Sequence, residues 1–418
     1  MKPTIYIINQ FANTPDLPGH TRQFEIAKFL CHQGWNVNVY ASDFNLSKRS
    51  FTKLRNNEFL KKELINKINW IWLRVFPYKK NNWKRYINIF SFCIIILIIL
   101  PISIFFKKIK GEKKGIILAS SPQLPAAFLS FLLAKIFNMK FVLEVRDLWP
   151  QIFIDKENYS KNNFFIIFLQ KIESILYTKS DYIIVLAKGV VDYVKNKGAR
   201  NVAWLPNGPS LNEFKYHPLP KENKVFDTER PFRIIYSGTH GEVNDLENVI
   251  KAAKILRILP IQFIFIGDGP KKNSLMKESK ALGNVIFLNP VSKFEIPSYI
   301  ASADAVLVSL KDLKLFKYGV SPNKLYDAYA IGRPIISSIG GCINNEIIKY
   351  KIGVCADPGS PDELSKAIKK LFLTSRLERE NMSRRARLLS EKLYSREKIN
   401  IKYNNLLKEI LNSKNKRS

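Results

Sequence analysis

Short apolar runs alternate with helix-length stretches, and the pattern occurs twice along the chain. In the first half, strands are expected near Thr4–Ile8, Val37–Ala41, Ile116–Ala119, Phe141–Val145, Tyr182–Leu186 and Val202–Leu205. Helices are expected near Thr21–Gln33, Leu124–Phe137, Phe164–Thr178 and Gly189–Lys197. The strand runs are near-continuously apolar, as parallel strands covered on both faces are. Such alternation specifies an α/β fold with doubly wound sheets. Turn residues crowd Leu205-Pro-Asn-Gly-Pro209, and 218–231 is polar, so 206–231 reads as a linker.

The pattern then restarts. Strands are expected near Arg233–Ser237, Gln262–Ile266, Val285–Leu288, Ala305–Ser309, Pro334–Ser337 and Gly353–Cys355. Helices fall near Asp245–Ile258, Lys271–Leu282, Lys293–Ala301, Asn323–Ile331, Pro361–Leu373 and Arg376–Lys392. The expected organisation is a first domain over 1–205, a second over 232–392, and a basic final helix and tail over 393–418. Two such domains facing a central cleft bind ligands beyond the carboxyl ends of their strands.

One stretch breaks the rhythm. Residues 86–106 carry no charge and read Tyr-Ile-Asn-Ile-Phe-Ser-Phe-Cys-Ile-Ile-Ile-Leu-Ile-Ile-Leu-Pro-Ile-Ser-Ile-Phe-Phe. As a helix this could cross a bilayer core of ~30 Å. Both flanks are basic (Lys79, Lys80, Lys84, Arg85; Lys107, Lys108, Lys110), so charge assigns no direction. A crossing would also put two parts of one sheet on opposite sides of the membrane. The preferred expectation is therefore a helix lying in one leaflet, with its flanks on anionic headgroups. The alternative is a fully buried helix, and Pro101 should kink either version.

The charge balance agrees with an anionic partner. Lys and Arg number 67 against 35 acids, a formal charge of +32, which attracts phosphates, anionic lipid or nucleic acid. No aromatic-interleaved basic patch or recognised nucleic-acid module is present, so nucleic acid is not an expected partner. The four cysteines have no metal-ligand spacing and form no disulfide framework, which fits a reducing, cytoplasmic compartment. The N-terminal apolar run is too brief for a leader and reads as a first strand.

The strongest chemical signal is Ser321-Pro-Asn-Lys-Leu-Tyr-Asp327. Ser321 suits an N-cap and Pro322 the first helical position. The N–H groups near Asn323, Lys324 and Leu325 would then point outward, and Lys324 adds a full charge, making an anion site. A leaving diphosphate would be stabilised there. Asp327, on the same helical face, can accept two hydroxyl hydrogen bonds, as from a ribose. The alternative is an ordinary capped helix with a surface Lys–Asp pair.

Other candidates are weaker singly. Gly267-Asp268-Gly269 follows an apolar strand and allows close backbone approach to a ligand. Gly238, Thr239 and His240 form a small polar loop after another strand. In the first half, Gly19 and His20 open the first helix. Glu144, Arg146 and Asp147 crowd three charges at a strand end, where burial demands a partner or a function. No Asp-x-Asp pair, P-loop, zinc site or Gly-x-Ser-x-Gly elbow occurs, and no metal site is expected.

Taken in order, these pieces resemble glycosyltransferase family 4, the retaining enzymes of GT-B architecture with two Rossmann-like domains. The resemblance is to the bacterial subgroup similar to fucosamine and colanic acid transferases. It is carried by 19–28 (Gly-His-Thr-Arg-Gln-Phe-Glu-Ile-Ala-Lys), 119–122 (Ala-Ser-Ser-Pro), 144–150 (Glu-Val-Arg-Asp-Leu-Trp-Pro), 205–208 (Leu-Pro-Asn-Gly), 236–241 (Tyr-Ser-Gly-Thr-His-Gly), 267–270 (Gly-Asp-Gly-Pro) and 322–334 (Pro-Asn-Lys-Leu-Tyr-Asp-Ala-Tyr-Ala-Ile-Gly-Arg-Pro).

The resemblance implies a nucleotide-diphosphate-sugar donor, a UDP-sugar favoured, held mainly by the second domain without a metal or cofactor. It implies a donor site of Gly19, Gly238, Thr239, His240, Gly267, Asp268, Val291, Asn323, Lys324, Leu325 and Asp327, with the base near Val291–Lys293. His20, Arg146, Asp147, Lys324 and Asp327 are the expected catalytic positions. Of two family glutamates spaced by seven, the second is Asp327 here and the first falls on Gly319. The family's diphosphate-binding Arg and Lys are replaced by Thr239 and Asn244. The expected acceptor is a saccharide, lipid-linked, met at the inner face of the cytoplasmic membrane during O-antigen, capsule or exopolysaccharide synthesis. The rival readings are a sugar-nucleotide 2-epimerase of the same fold and a non-enzymatic basic membrane-surface or nucleic-acid-binding protein.

Overall fold

The computed structural model describes residues 2–413, apart from 18, 20, 47, 80–82, 110, 112–114, 158 and 221–229. The chain forms two compact units, Met1–Leu205 with Asn400–Ser418, and Pro206–Ile399.

In the first unit the strands are β1 (Thr4–Ile8), β2 (Asn36–Ser42), β3 (Phe44–Asn45), β4 (Ser50–Phe51), β5 (Leu60–Ile65), β6 (Ile68–Leu73), β7 (Gly115–Ser120), β8 (Lys140–Val145), β9 (Tyr182–Val185) and β10 (Val202–Trp204). Eight of them form one sheet in the order β10-β9-β8-β7-β1-β2-β6-β5. Only β5 runs antiparallel within it, paired with β6. The turn between them, Asn66-Lys67, has both residues at positive φ, the geometry of a two-residue hairpin. Without a glycine it carries little turn signal, and the sequence reading has no strand there.

The helices after β6, β7 and β8 lie on one face of this sheet, as right-handed crossovers in this strand order require. They are Trp83–Ile109, Leu124–Ile136 and Phe164–Lys179. Their inner residues, among them Phe92, Ile96, Leu100, Phe131 and Leu169, share one core with Tyr6, Ile8, Ile117 and Leu143 of the sheet. The expected final helix is Arg396–Asn412. Most of it belongs to the first unit: Asn404 Oδ1 accepts from Trp35 Nε1 at 2.8 Å, and Leu407 is fully buried.

Trp83–Ile109 is a continuous helix through Pro101, and among the described residues it alone is long and apolar enough to cross a bilayer. It is not the fully buried helix of the alternative reading. Phe92, Ile96 and Leu100 are sealed, whereas Phe90, Ile94 and Ile98 are exposed. The inner residues recur every fourth position, so one helix face packs and the opposite face does not.

The second unit holds β11 (Phe232–Ser237), β12 (Ile261–Ile266), β13 (Val285–Leu288), β14 (Ala305–Ser309), β15 (Ile335–Ser338) and β16 (Gly353–Cys355). All are parallel, in the order β13-β12-β11-β14-β15-β16. Much of the expected linker is part of this unit. Arg333, fully buried, donates to the carbonyls of His217, Pro218 and Ala301. Asn207 donates from its backbone and its side chain to Ser321. Buried donors need acceptors, and the segment supplies them. The last expected helix of the second half ends early: Arg376–Leu389 is followed by a π-helical turn, Ser390–Tyr394.

Candidate active site

Three segments meet beyond the carboxyl ends of the second sheet. The loop after β11 donates Gly238 N to Ile266 O (2.9 Å) and His240 N to Asp268 O (2.8 Å). The loop after β12 is pinned by Lys272, whose Nζ donates to Gly267 O and Leu288 O. Gly267 has φ +141°, and a Cβ there would lie 2.0 Å from Gly238 O. The two loops interlock so closely that only glycine fits.

The third segment is the helix Asn323–Ile331. The expected capping is corrected here. Pro322 occupies the cap position and no side chain caps the helix. Ser321 Oγ instead accepts from Asn207 N and pairs with the Tyr326 hydroxyl at 3.1 Å. The Leu325 N–H, expected to face a ligand, donates to Pro322 O, and the Leu325 side chain is core. Asn323 is exposed and Lys324 half-buried at the helix start.

Lys324 reaches back to the β11 loop. Its Nζ lies 3.8 Å from the centroid of the Tyr236 ring, and a Cβ on Gly238 would sit 3.1 Å from it. Tyr236 is locked by donating its hydroxyl to Thr239 O at 2.8 Å. Among the described residues no carboxylate pairs with Lys324. Burial without a counter-ion pushes its pKa down to about 7. One turn later Asp327, also half-buried, is pushed up to about 7, chiefly by burial, with Arg396 and Lys293 opposing and Glu213 adding to the shift. The helix start thus presents an ammonium close to its titration point, a carboxyl close to its own, and backbone beside them. That set suits an anionic ligand carrying hydroxyl groups.

The remaining expected donor positions fall unevenly. Thr239 and Asp268 are exposed on the two loops, and Asp268 Oδ1 accepts from Gly269 N. Val291 is half-exposed in the chain that follows β13. The His240 ring, by contrast, is fully buried against Tyr236, Phe265 and Phe287. Neither ring nitrogen has a partner among the described residues. Burial and then Lys272 lower its pKa to about 4, so the ring is neutral. His240 therefore braces the loops, its N–H donating to Asp268 O and its C=O accepting from Lys271 N, and does not present its imidazole to the site. Lys272 and Arg396 were not anticipated, and Tyr236 was named only as the first residue of the 236–241 stretch. Their sequence signal is slight: a tyrosine inside a strand, a lysine after a glycine turn, and an arginine far along the chain.

The first unit has its own polar edge beyond β1, β7 and β8. Glu144 is fully buried. It accepts from Arg22 Nε (3.1 Å), Gln23 Nε2 (2.9 Å) and the Tyr403 hydroxyl (3.4 Å). Arg146 interacts electrostatically with both Glu144 and Asp147, but the close ion pair of Glu144 is with Arg22. Arg146 Nη1 donates to Gln23 Oε1 (3.2 Å), and Asp147 is exposed. Ser121 joins them, accepting from Arg146 N and donating to Asp147 O. Gly19 lies near Asn13 with φ +129°, and His20 lies outside the described residues.

Residues 220–389 match the family model described as glycosyl transferases group 1. The Pseudomonas aeruginosa protein WbjE, named a probable glycosyltransferase, is 25% identical over 57% of this chain and 62% of its own length. The Escherichia coli protein WcaI, named for glycosyl transfer in colanic acid biosynthesis, is 27% identical over 46% of this chain and 50% of its own. The matched region thus spans half to under two thirds of these relatives. Among solved structures, sucrose-phosphate synthase from Thermosynechococcus elongatus superposes with a TM-score of 0.74 at 14% identity, covering 98% of this chain and 99% of its own. Anabaena HepE, solved with UDP and glucose, gives 0.65 at 14% identity, covering 97% of this chain and 100% of its own. At these identities the structural likeness concerns the fold, two doubly wound α/β units of GT-B type.

Proposed function

Because residues 220–389 match the model of glycosyl transferases group 1, we propose that the chain moves a sugar from a nucleoside-diphosphate donor, UDP favoured, onto a membrane-borne saccharide acceptor. The observation that carries this reading is the unpaired Lys324 ammonium at an uncapped helix start, beside the Gly238 backbone. The diphosphate is held by Lys324 and the backbone at Asn323. Asp327 receives the ribose hydroxyls, the base lies toward Val291, and Gly238, Thr239, Gly267 and Asp268 line the sugar-phosphate. His240 supports that loop from within.

In the transfer, the bond from the anomeric carbon to the donor phosphate oxygen breaks as the acceptor oxygen bonds to that carbon. Negative charge grows on the departing diphosphate, where Lys324 and the helix dipole oppose it. The leaving phosphate takes the acceptor proton on the same face, which retains configuration. In the first unit, Gly19, His20, Arg146 and Asp147 are assigned to sugar transfer. The name of WcaI, which refers to colanic acid biosynthesis, supports a place in polysaccharide synthesis; the inner face of the cytoplasmic membrane is the place we assign to it.

Calorimetry with UDP tests the reading. Lys324→Ala should weaken UDP at least about tenfold, the effect of losing one charge-assisted contact, with an unchanged melting temperature. Wild-type affinity in the variant refutes the phosphate role.

A further inference from the structure

The helices Trp83–Ile109, Leu124–Ile136 and Phe164–Lys179 pack side by side on one face of the first sheet. Their outer surface is apolar across all three. Phe90, Ile94, Ile98 and Phe105 are exposed on the first helix, Ile136 on the second, and Phe168 on the third. An apolar surface of this extent on a folded unit marks an interaction site.

Charge identifies the occupant. The exposed charged side chains of these helices include Lys84, Lys108, Lys135, Lys171 and Lys179. Their only acid, Glu173, is 2% exposed and bridged to Lys197 at 2.7 Å. A second copy of the chain would set basic rim against basic rim. An anionic lipid leaflet complements both the apolar centre and the lysines.

The long helix cannot cross that leaflet while the unit stays folded. It is the crossover from β6 to β7, and both its ends are tied to the same sheet. Near its start Asn88 Oδ1 accepts from Gln10 Nε2 at 2.6 Å, and near its end Lys107 Nζ donates to Asn38 Oδ1 at 2.9 Å. We infer that the outer face of these three helices docks flat on an anionic bilayer, sinking side chains into one leaflet without spanning it. The tie to Gln10, just past β1, puts the Trp83 end at the sheet edge that holds Glu144 and Arg146. A lipid-borne acceptor would meet that edge without leaving its leaflet; this placement rests on the acceptor proposed above, whereas the lipid contact does not.

Flotation of the full chain with phosphatidylglycerol–phosphatidylethanolamine vesicles tests it. Binding should be strong there and at least about tenfold weaker on phosphatidylcholine. The double variant Ile98→Ser, Phe105→Ser should lose about tenfold of the bound fraction while keeping its melting temperature and UDP affinity. In vesicle-bound protein, cysteines replacing Lys84 and Lys108 should both react with an impermeant maleimide added outside. Protection of one end means a crossing helix and overturns the inference. Absence of vesicle binding overturns it too, as does a dimer that the double variant abolishes. Either result with UDP binding intact leaves the transferase reading standing, and loss of UDP binding alone leaves the docking face standing.

Discussion

An ammonium that has lost part of its water and, among the described residues, meets a tyrosine ring and no carboxylate holds its proton weakly, which is why Lys324 is pushed down to about 7. A diphosphate restores the proton on binding. Affinity for UDP should therefore fall above neutrality, by up to about tenfold per pH unit, as the free protein loses that charge. Below neutrality Asp327, pushed up to about 7, protonates and loses acceptor capacity. Calorimetry between about pH 5.5 and about pH 9 should give a maximum near 7. Lys324→Ala should flatten the alkaline limb and Asp327→Asn the acid limb. His240 titrates differently: its pKa is lowered to about 4 in the folded chain and returns to about 6.5 on unfolding. The unfolded state thus binds more protons between those values, and stability is lost as pH falls through that window. Chemical denaturation should show wild type losing roughly 2–3 kcal/mol more than His240→Phe between about pH 7 and about pH 4. The placement of Lys324 and Asp327 on one helix was legible from the proline that precedes it. The role of His240 was not, because nothing local says whether a loop ring points inward or outward.

The helix Trp83–Ile109 shows the same limit one level up. Its composition announces an apolar helix, but that composition is nearly uniform around the axis, so the sequence alone does not choose the packed face. Packing against the sheet chooses it. Phe92 is sealed and Phe106 is exposed. Phe92→Ala should cost about 3–5 kcal/mol, and Phe106→Ala should stay within about 0.5 kcal/mol, by denaturant unfolding without lipid. Equal effects would mean that the two faces are not distinguished in solution. The β5–β6 hairpin was missed although β6 is apolar: its partner β5 is a polar edge strand, and the turn that joins them lacks glycine.

At the scale of the chain, the final helix closes the first unit although it follows the second in sequence. Its Tyr403 and Asn404 reach Glu144 and Trp35. A chain ending at residue 395 should therefore lose the cooperative unfolding transition of the first unit while the second unit still melts. Two-transition calorimetry checks this, and an unaltered first transition would contradict the helix's role.

The two runs of strand–helix alternation were set by the sequence alone, because continuous apolar segments of strand length have no stable home except a sheet covered on both faces. The same holds for the cationic helix start at Lys324, which follows from a proline and its neighbours. Tertiary structure decided what depends on partners distant in the chain. Examples are the close ion pair of Glu144 with Arg22, the His217–Pro218 carbonyls on Arg333, and the apolar helix with one face in the core and one outside. Burial and pairing are properties of neighbours in space, and a local pattern contains no information about which distant group will arrive.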